Sequence, residues 1–105
     1  DLSFNRIEFI EYESFYLNDL KNLYLNNNRL KFLTDKYFSS VFYYRLSLNF
    51  QFNQLNYYEF YYKTGTSLIL YLKSNNLTEK NLKTGQFENA DRADLESNRL
   101  SELNF

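Results

Sequence analysis

Cysteine, histidine and proline are absent from this 105-residue chain, and only two glycines are present. Without cysteine there is no disulfide frame, no thiol nucleophile and no thiolate metal site. Without histidine, zinc binding and imidazole chemistry lose their usual side chains. Gly65 and Gly85 stand alone, so no glycine-rich loop cradles a phosphate. Long apolar runs are missing too: patches such as Val41 to Tyr44 and Leu68 to Leu72 fall far short of the ~18 residues of a membrane span. A formal net charge of −1 lacks the excess of one sign that draws nucleic acid or an anionic membrane, and Lys and Arg form no basic stripe. These absences point away from metals, cofactors, nucleic acid and membrane contact. The chain begins at Asp1, without Met or a signal-like segment, and reads as a piece of something longer.

What is present is 44% apolar and 21% aromatic residues, enough for the modest core of a single domain. These residues recur in register. Leu20, Leu23, Leu25, Asn28 and Leu30 have the spacing L-x-x-L-x-L-x-x-N-x-L. The frame returns as Leu48, Phe50, Asn53, Leu55, as Leu70, Leu72, Asn75, Leu77, and as Ala93, Leu95, Asn98, Leu100, with Leu103 beyond; a shortened copy, Leu2, Asn5, Ile7, Ile10, opens the chain. The registered Asn residues lie 22 to 25 positions apart. The out-of-register match Phe15, Asn18, Leu20 fails because Glu13 stands where an apolar residue is needed.

A helical domain is the competing expectation, since no proline interrupts the chain and Leu17, Leu20 and Leu23 fall near one helical face. It accounts poorly for Asn26, Asn27 and Asn28 in a row, because Asn competes for backbone groups and punctuates helices. The alternations Leu23, Tyr24, Leu25 and Leu70, Tyr71, Leu72 have the period of a strand instead. Copies stacked at the ~4.8 Å strand spacing would form a parallel sheet along one face of a repeat array. The turn after each strand needs polar partners for its peptide groups. Asn5, Asn28, Asn53, Asn75 and Asn98 are expected to supply them as an inward-pointing structural ladder.

Other apolar residues are expected to close the back of each copy. Phe15 and Phe38 fall ten residues after their Asn. Lys63 holds that place in the next copy, where Tyr57, Tyr58, Phe60, Tyr61 and Tyr62 would fill the gap with hydroxyls reaching to solvent. Small Ala90 and Ala93 predict looser packing around Leu95.

The stretches DLSFNRI, LKNLYLNNNRL, LILYLKSNNL and DLESNRLSEL resemble leucine-rich repeat proteins. Leu33 with Phe38, and Leu82 with Gly85 and Phe87, are similar to the backs of animal extracellular repeats, as in Toll-like receptors and insect leucine-rich immune proteins. Thr34 and Lys83 stand where those repeats carry proline, and their cysteine-rich caps are missing. The resemblance implies an α/β-type repeat solenoid: a right-handed arc of four to five uncapped repeats over residues 1–105. A parallel β-sheet would line its concave face, with an irregular or short helical convex side.

Leucine-rich repeat proteins generally bind other proteins on the concave sheet, so the resemblance implies a protein-protein interaction module. Its partner-binding residues are the outward strand positions. These form the rows Asp1, Tyr24, Asn49, Tyr71, Asp94 and Ser3, Asn26, Gln51, Lys73, Glu96. Tyr24 and Tyr71 are the expected anchors, because an exposed Tyr offers area, a hydroxyl and little rotamer entropy to lose. A further row, Arg6, Arg29, Gln54, Asn76 and Arg99, follows each Asn and reads first as solvated charge. Asn76-Leu77-Thr78 is an N-x-T glycosylation acceptor, whose closeness to Asn75 argues against access.

Catalysis is not expected. Glu11 with Glu13 and Asp91 with Asp94 are the available carboxylate pairs, and nothing in the sequence places either in a pocket. The expected setting is extracellular or secreted, and the resemblance implies an innate immune type. The alternatives are purely structural spacer repeats, or a cytoplasmic regulatory repeat protein docking on an enzyme. Apolar ends such as Leu2 and Leu103 predict end-to-end self-association of the isolated chain.

Overall fold

Alternating apolar and polar residues make short strands, because successive side chains on extended backbone face opposite ways. The computed structural model describes residues 1–15, 20–38, 45–59, 67–78 and 92–99. Within them lie β1 (Asn22–Tyr24), β2 (Phe32–Thr34), β3 (Arg45–Asn49), β4 (Tyr57–Glu59), β5 (Ser67–Tyr71) and β6 (Arg92–Asp94). The one helical element among the described residues is a 3-10 turn, Asp35–Tyr37. Thr34 caps it, its side chain accepting from the Lys36 N–H at 3.3 Å.

The strands join two wholly parallel sheets, one of four strands in the order β1-β3-β5-β6 and one of two, β2-β4. From β1 to β5 the chain passes alternately from the larger sheet to the smaller and back. The fold is thus parallel strands in sheets with almost no helix among the described residues. The pairing register brings chemically equivalent residues together: Leu23, Leu48, Leu70 and Ala93 are successive partners across the larger sheet. Leu33 pairs with Tyr58 across the smaller one. Inward residues of both sheets, with Leu30, Leu55 and Leu77 from the turns, belong to a single buried cluster. Each fully buried Leu contributes roughly 1.5–3 kcal/mol of transfer free energy.

Two expectations about the back of the molecule need correction. Outside the larger sheet an irregular or short helical course is expected; Phe32–Thr34 and Tyr57–Glu59 instead pair as a second parallel sheet, and the 3-10 turn follows the first of them. Aromatic residues on extended backbone favour that outcome, since Phe32 and Tyr57 pack edge to face at 5.9 Å on adjacent strands. Tyr58 was to send its hydroxyl to solvent. It is instead 2% exposed, inside the cluster, because its strand position faces inward beside Leu33.

Phe15 and Phe38 form a parallel bridge and stack at 5.7 Å. Ala93 and Leu95 are half-buried against the cluster. The readings made for Leu17, Asn18, Phe60, Tyr61, Tyr62, Lys63, Gly65, Leu82, Lys83, Gly85, Phe87, Ala90, Asp91, Leu100 and Leu103 lie outside the described residues. No helix among the described residues is long and apolar enough to cross a membrane.

Candidate partner-binding face

The side chains of the registered Asn residues set the geometry of the larger sheet's end. Asn28, Asn53 and Asn75 are buried, with exposures of 5–8%. The Asn53 amide group lies 2.9 Å from the Leu25 carbonyl, 3.1 Å from that of Phe50 and 3.3 Å from that of Gln51. Its Oδ1 accepts the Leu30 N–H at 3.0 Å. Asn75 repeats this arrangement with Phe50, Leu72, Lys73 and the Leu55 N–H. Asn28 does so with Leu2, Leu25, Asn26 and the Ile7 N–H, and half-buried Asn98 with Leu72, Leu95, Glu96 and the Leu77 N–H. Each of these four amides therefore ties its own turn to the turn before it. Asn5, expected in the same inward ladder, departs from it: it is exposed, and among the described residues it donates within its own turn, to Leu2 and Ser3.

Before every one of these Asn residues the backbone is left-handed. Phe4, Asn27, Phe52, Ser74 and Ser97 all have φ between 57° and 59°. Sequence reasoning passed over them, because none is a glycine and the frame there tolerates Phe, Asn and Ser alike. The backbone N–H groups of Phe4, Asn27, Phe52 and Ser74 reach the next turn, as from Asn27 to the Gln51 carbonyl at 2.9 Å and from Phe52 to that of Lys73 at 3.0 Å.

Fixed this way, the strands present their outward residues in line. Tyr24, Asn49, Tyr71 and Asp94 are direct register partners on adjacent strands. The Leu2 N–H to Tyr24 carbonyl bond brings residues 1–3 alongside β1. The row alternates in character. Oδ1 of Asp1, Asn49 and Asp94 each accepts the backbone N–H two residues on, from Ser3, Gln51 and Glu96. Those side chains are folded down onto the strand ends. Between them stand Tyr24, 43% exposed, and half-buried Tyr71. Two strand spacings separate the two tyrosines, about 10 Å.

Compared with protein-family models, with curated proteins and with solved structures, the chain matches none.

Beyond the strand ends, Asn26, Gln51 and Lys73 are half-buried and Glu96 is exposed. The Lys73 ammonium lies 3.9 Å from a Glu96 carboxylate oxygen, so two predicted contact residues just past neighbouring strands meet each other. Sequence reasoning missed a third outward row, Asn22, Ser47, Ile69 and Arg92, which is in register one strand period earlier. The same alternation that marks Tyr24 marks Asn22, two residues before it.

Arg6, Arg29, Gln54, Asn76 and Arg99 are all exposed. Access to Asn76 was expected to suffer from its closeness to Asn75. The two point to opposite environments, Asn75 buried and Asn76 exposed. Glu11 and Glu13 are exposed. No group of three or more acidic residues suited to a metal ion occurs among the described residues.

Proposed function

We propose that this chain is a leucine-rich repeat array acting as a protein-protein interaction segment. The four-stranded sheet is its concave face, and Tyr24 and Tyr71 are its anchors. The Asn side chains that bond the preceding turn support the repeat reading, since a buried amide satisfied from two consecutive turns is what a stacked array requires. The carrying observation for function is the register Tyr24, Asn49, Tyr71, Asp94. It sets two tyrosines on alternate strands of one sheet face, with the folded-down Asn49 between them and Asp94 beyond Tyr71. Rigid aromatic side chains with accessible hydroxyls make interface anchors at small entropic cost. The exposed Asn76 of the N-x-T acceptor favours an extracellular or secreted setting for this array.

A partner screen with the 105-residue chain as bait tests the function. Partners retained by the unmodified chain are expected to weaken by about 100-fold or more on Tyr24→Ala with Tyr71→Ala, as for loss of two anchors. Unchanged binding of every partner by the double variant would remove the face from consideration.

A further inference from the structure

The smaller sheet carries a cavity of about 190 Å³ that the proposed concave face does not use. Four of its lining rings, Phe9, Tyr12, Phe32 and Tyr57, are 42–70% exposed. Buried Ile10, Thr34 and Tyr37 line it from below. The volume suits one planar side-chain group, since a cavity of about 150 Å³ accepts a benzene ring.

The surroundings select the charge of that group. Glu59 lines the cavity, its Oε2 accepting the Tyr57 hydroxyl at 2.6 Å. A cation of the chain itself already rests there: the Lys36 ammonium lies 5.5 Å from the Tyr12 ring centroid and 3.8 Å from Glu59 Oε1. It is held loosely, with a side chain 56% exposed and an ion pair near the outer limit of contact. The segment that brings Phe9 and Tyr12 carries exposed Glu8, Glu11 and Glu13, and no Lys or Arg lies between Arg6 and Lys21. Aromatic faces attract cations through their negative π-surface, and nearby carboxylates add to that field.

We propose that this cleft binds an arginine side chain presented by a protein partner, the guanidinium stacking on the exposed rings and taking the Glu59 carboxylate in place of Lys36. Arginine fits better than lysine, because its planar fork stacks on rings and meets a carboxylate with two donors at once. The site is a second interaction surface, and it stands whether or not the larger sheet binds anything.

The probe is the peptide acetyl-Gly-Arg-Gly-amide, titrated into the 105-residue chain while the tyrosine and phenylalanine ring signals are followed by NMR. Its uncharged citrulline counterpart is the control. Saturable shifts at Tyr12, Phe32 and Tyr57 are expected with arginine, and at least about fivefold weaker binding with citrulline. Glu59→Gln is expected to weaken the arginine peptide about fivefold, and Lys36→Gln to strengthen it about threefold by removing the competing cation. The two substitutions thus act in opposite directions, which loss of folding does not imitate. Tyr12→Leu, at an exposed position, serves as a second weakening variant. Equal binding of the citrulline peptide, weakening by Lys36→Gln, or the absence of saturable shifts at these rings overturns the proposal.

Discussion

A buried side-chain amide is stabilising only while all its hydrogen-bonding groups find partners. Asn53 illustrates the condition, with three carbonyls around its amino group and one N–H on its oxygen. Asn53→Ala is expected to lower the unfolding free energy by about 2–4 kcal/mol, since several buried backbone groups lose their partner together. Asn5→Ala, at an exposed site bonding only its own turn, is expected to lower it by less than about 1 kcal/mol. Urea denaturation of both variants checks the contrast, and equal losses would show that burial of the amide confers nothing. Buried phenols give a second residue-level handle. Burial, with Tyr12 adding to it, pushes the Tyr37 phenol from 10.0 up to about 12. Burial first and Asp35 second push Tyr58 in the same direction. The unfolded chain then ionises these groups before the folded one does. The contribution of Tyr37 is fully present below pH 10.0 and is lost as pH rises towards about 12. The thermal midpoint should therefore fall across that window, and Tyr37→Phe should flatten the fall. A midpoint independent of pH there would contradict the assignment.

Strands of three to five residues are too short to hold a register unaided, and here the turn after each strand supplies the missing specification. A left-handed residue followed by an amide recurs at Phe4-Asn5, Asn27-Asn28, Phe52-Asn53, Ser74-Asn75 and Ser97-Asn98. L-residues other than glycine are disfavoured by roughly 1 kcal/mol in that conformation. Ser74→Gly is accordingly expected to stabilise by about 0.5–1 kcal/mol, and Ser74→Val to destabilise by more than about 1 kcal/mol, because a branched Cβ crowds the left-handed backbone. Chemical denaturation reads both. A stabilising valine would show that the turn relaxes out of the left-handed region. The alternation of strand residues was legible in advance, since a period of two is visible in Leu23, Tyr24, Leu25. The left-handed position was not, because its signal is a backbone angle that Phe, Asn and Ser share without a common side chain.

At the scale of the whole chain, the radius of gyration of 12.9 Å is that of a compact domain of about 100 residues. Parallel stacking makes stability unequal along the molecule. β3 is paired on both sides, to β1 and to β5, whereas the segment holding Leu2 and Phe4 bonds only towards β1. Amide hydrogen exchange is expected to be slowest at residues such as Ser47, Phe50 and Leu55, and fastest at Leu2 and Phe4. Uniform protection across these sites would indicate all-or-none opening with no contribution from nearest-neighbour pairing.

Read alone, the residues determined that strands would be short, that they would lie parallel, and that Asn28, Asn53 and Asn75 would face inward with the leucines of their frame. Spacing between Leu and Asn is enough for that, because inward apolar groups and one recurrent amide leave few other ways to bury both. They also placed Tyr24, Asn49, Tyr71 and Asp94 in one row, since register follows from the repeat interval. Only the tertiary structure decided what forms outside the larger sheet. The β2-β4 pairing, the burial of Tyr58 and the cleft between Phe9, Tyr12, Phe32 and Tyr57 depend on contacts between residues far apart in the chain, with no common spacing to announce them. Local period specifies which way a side chain points; what it meets there is set by the packing of neighbouring turns.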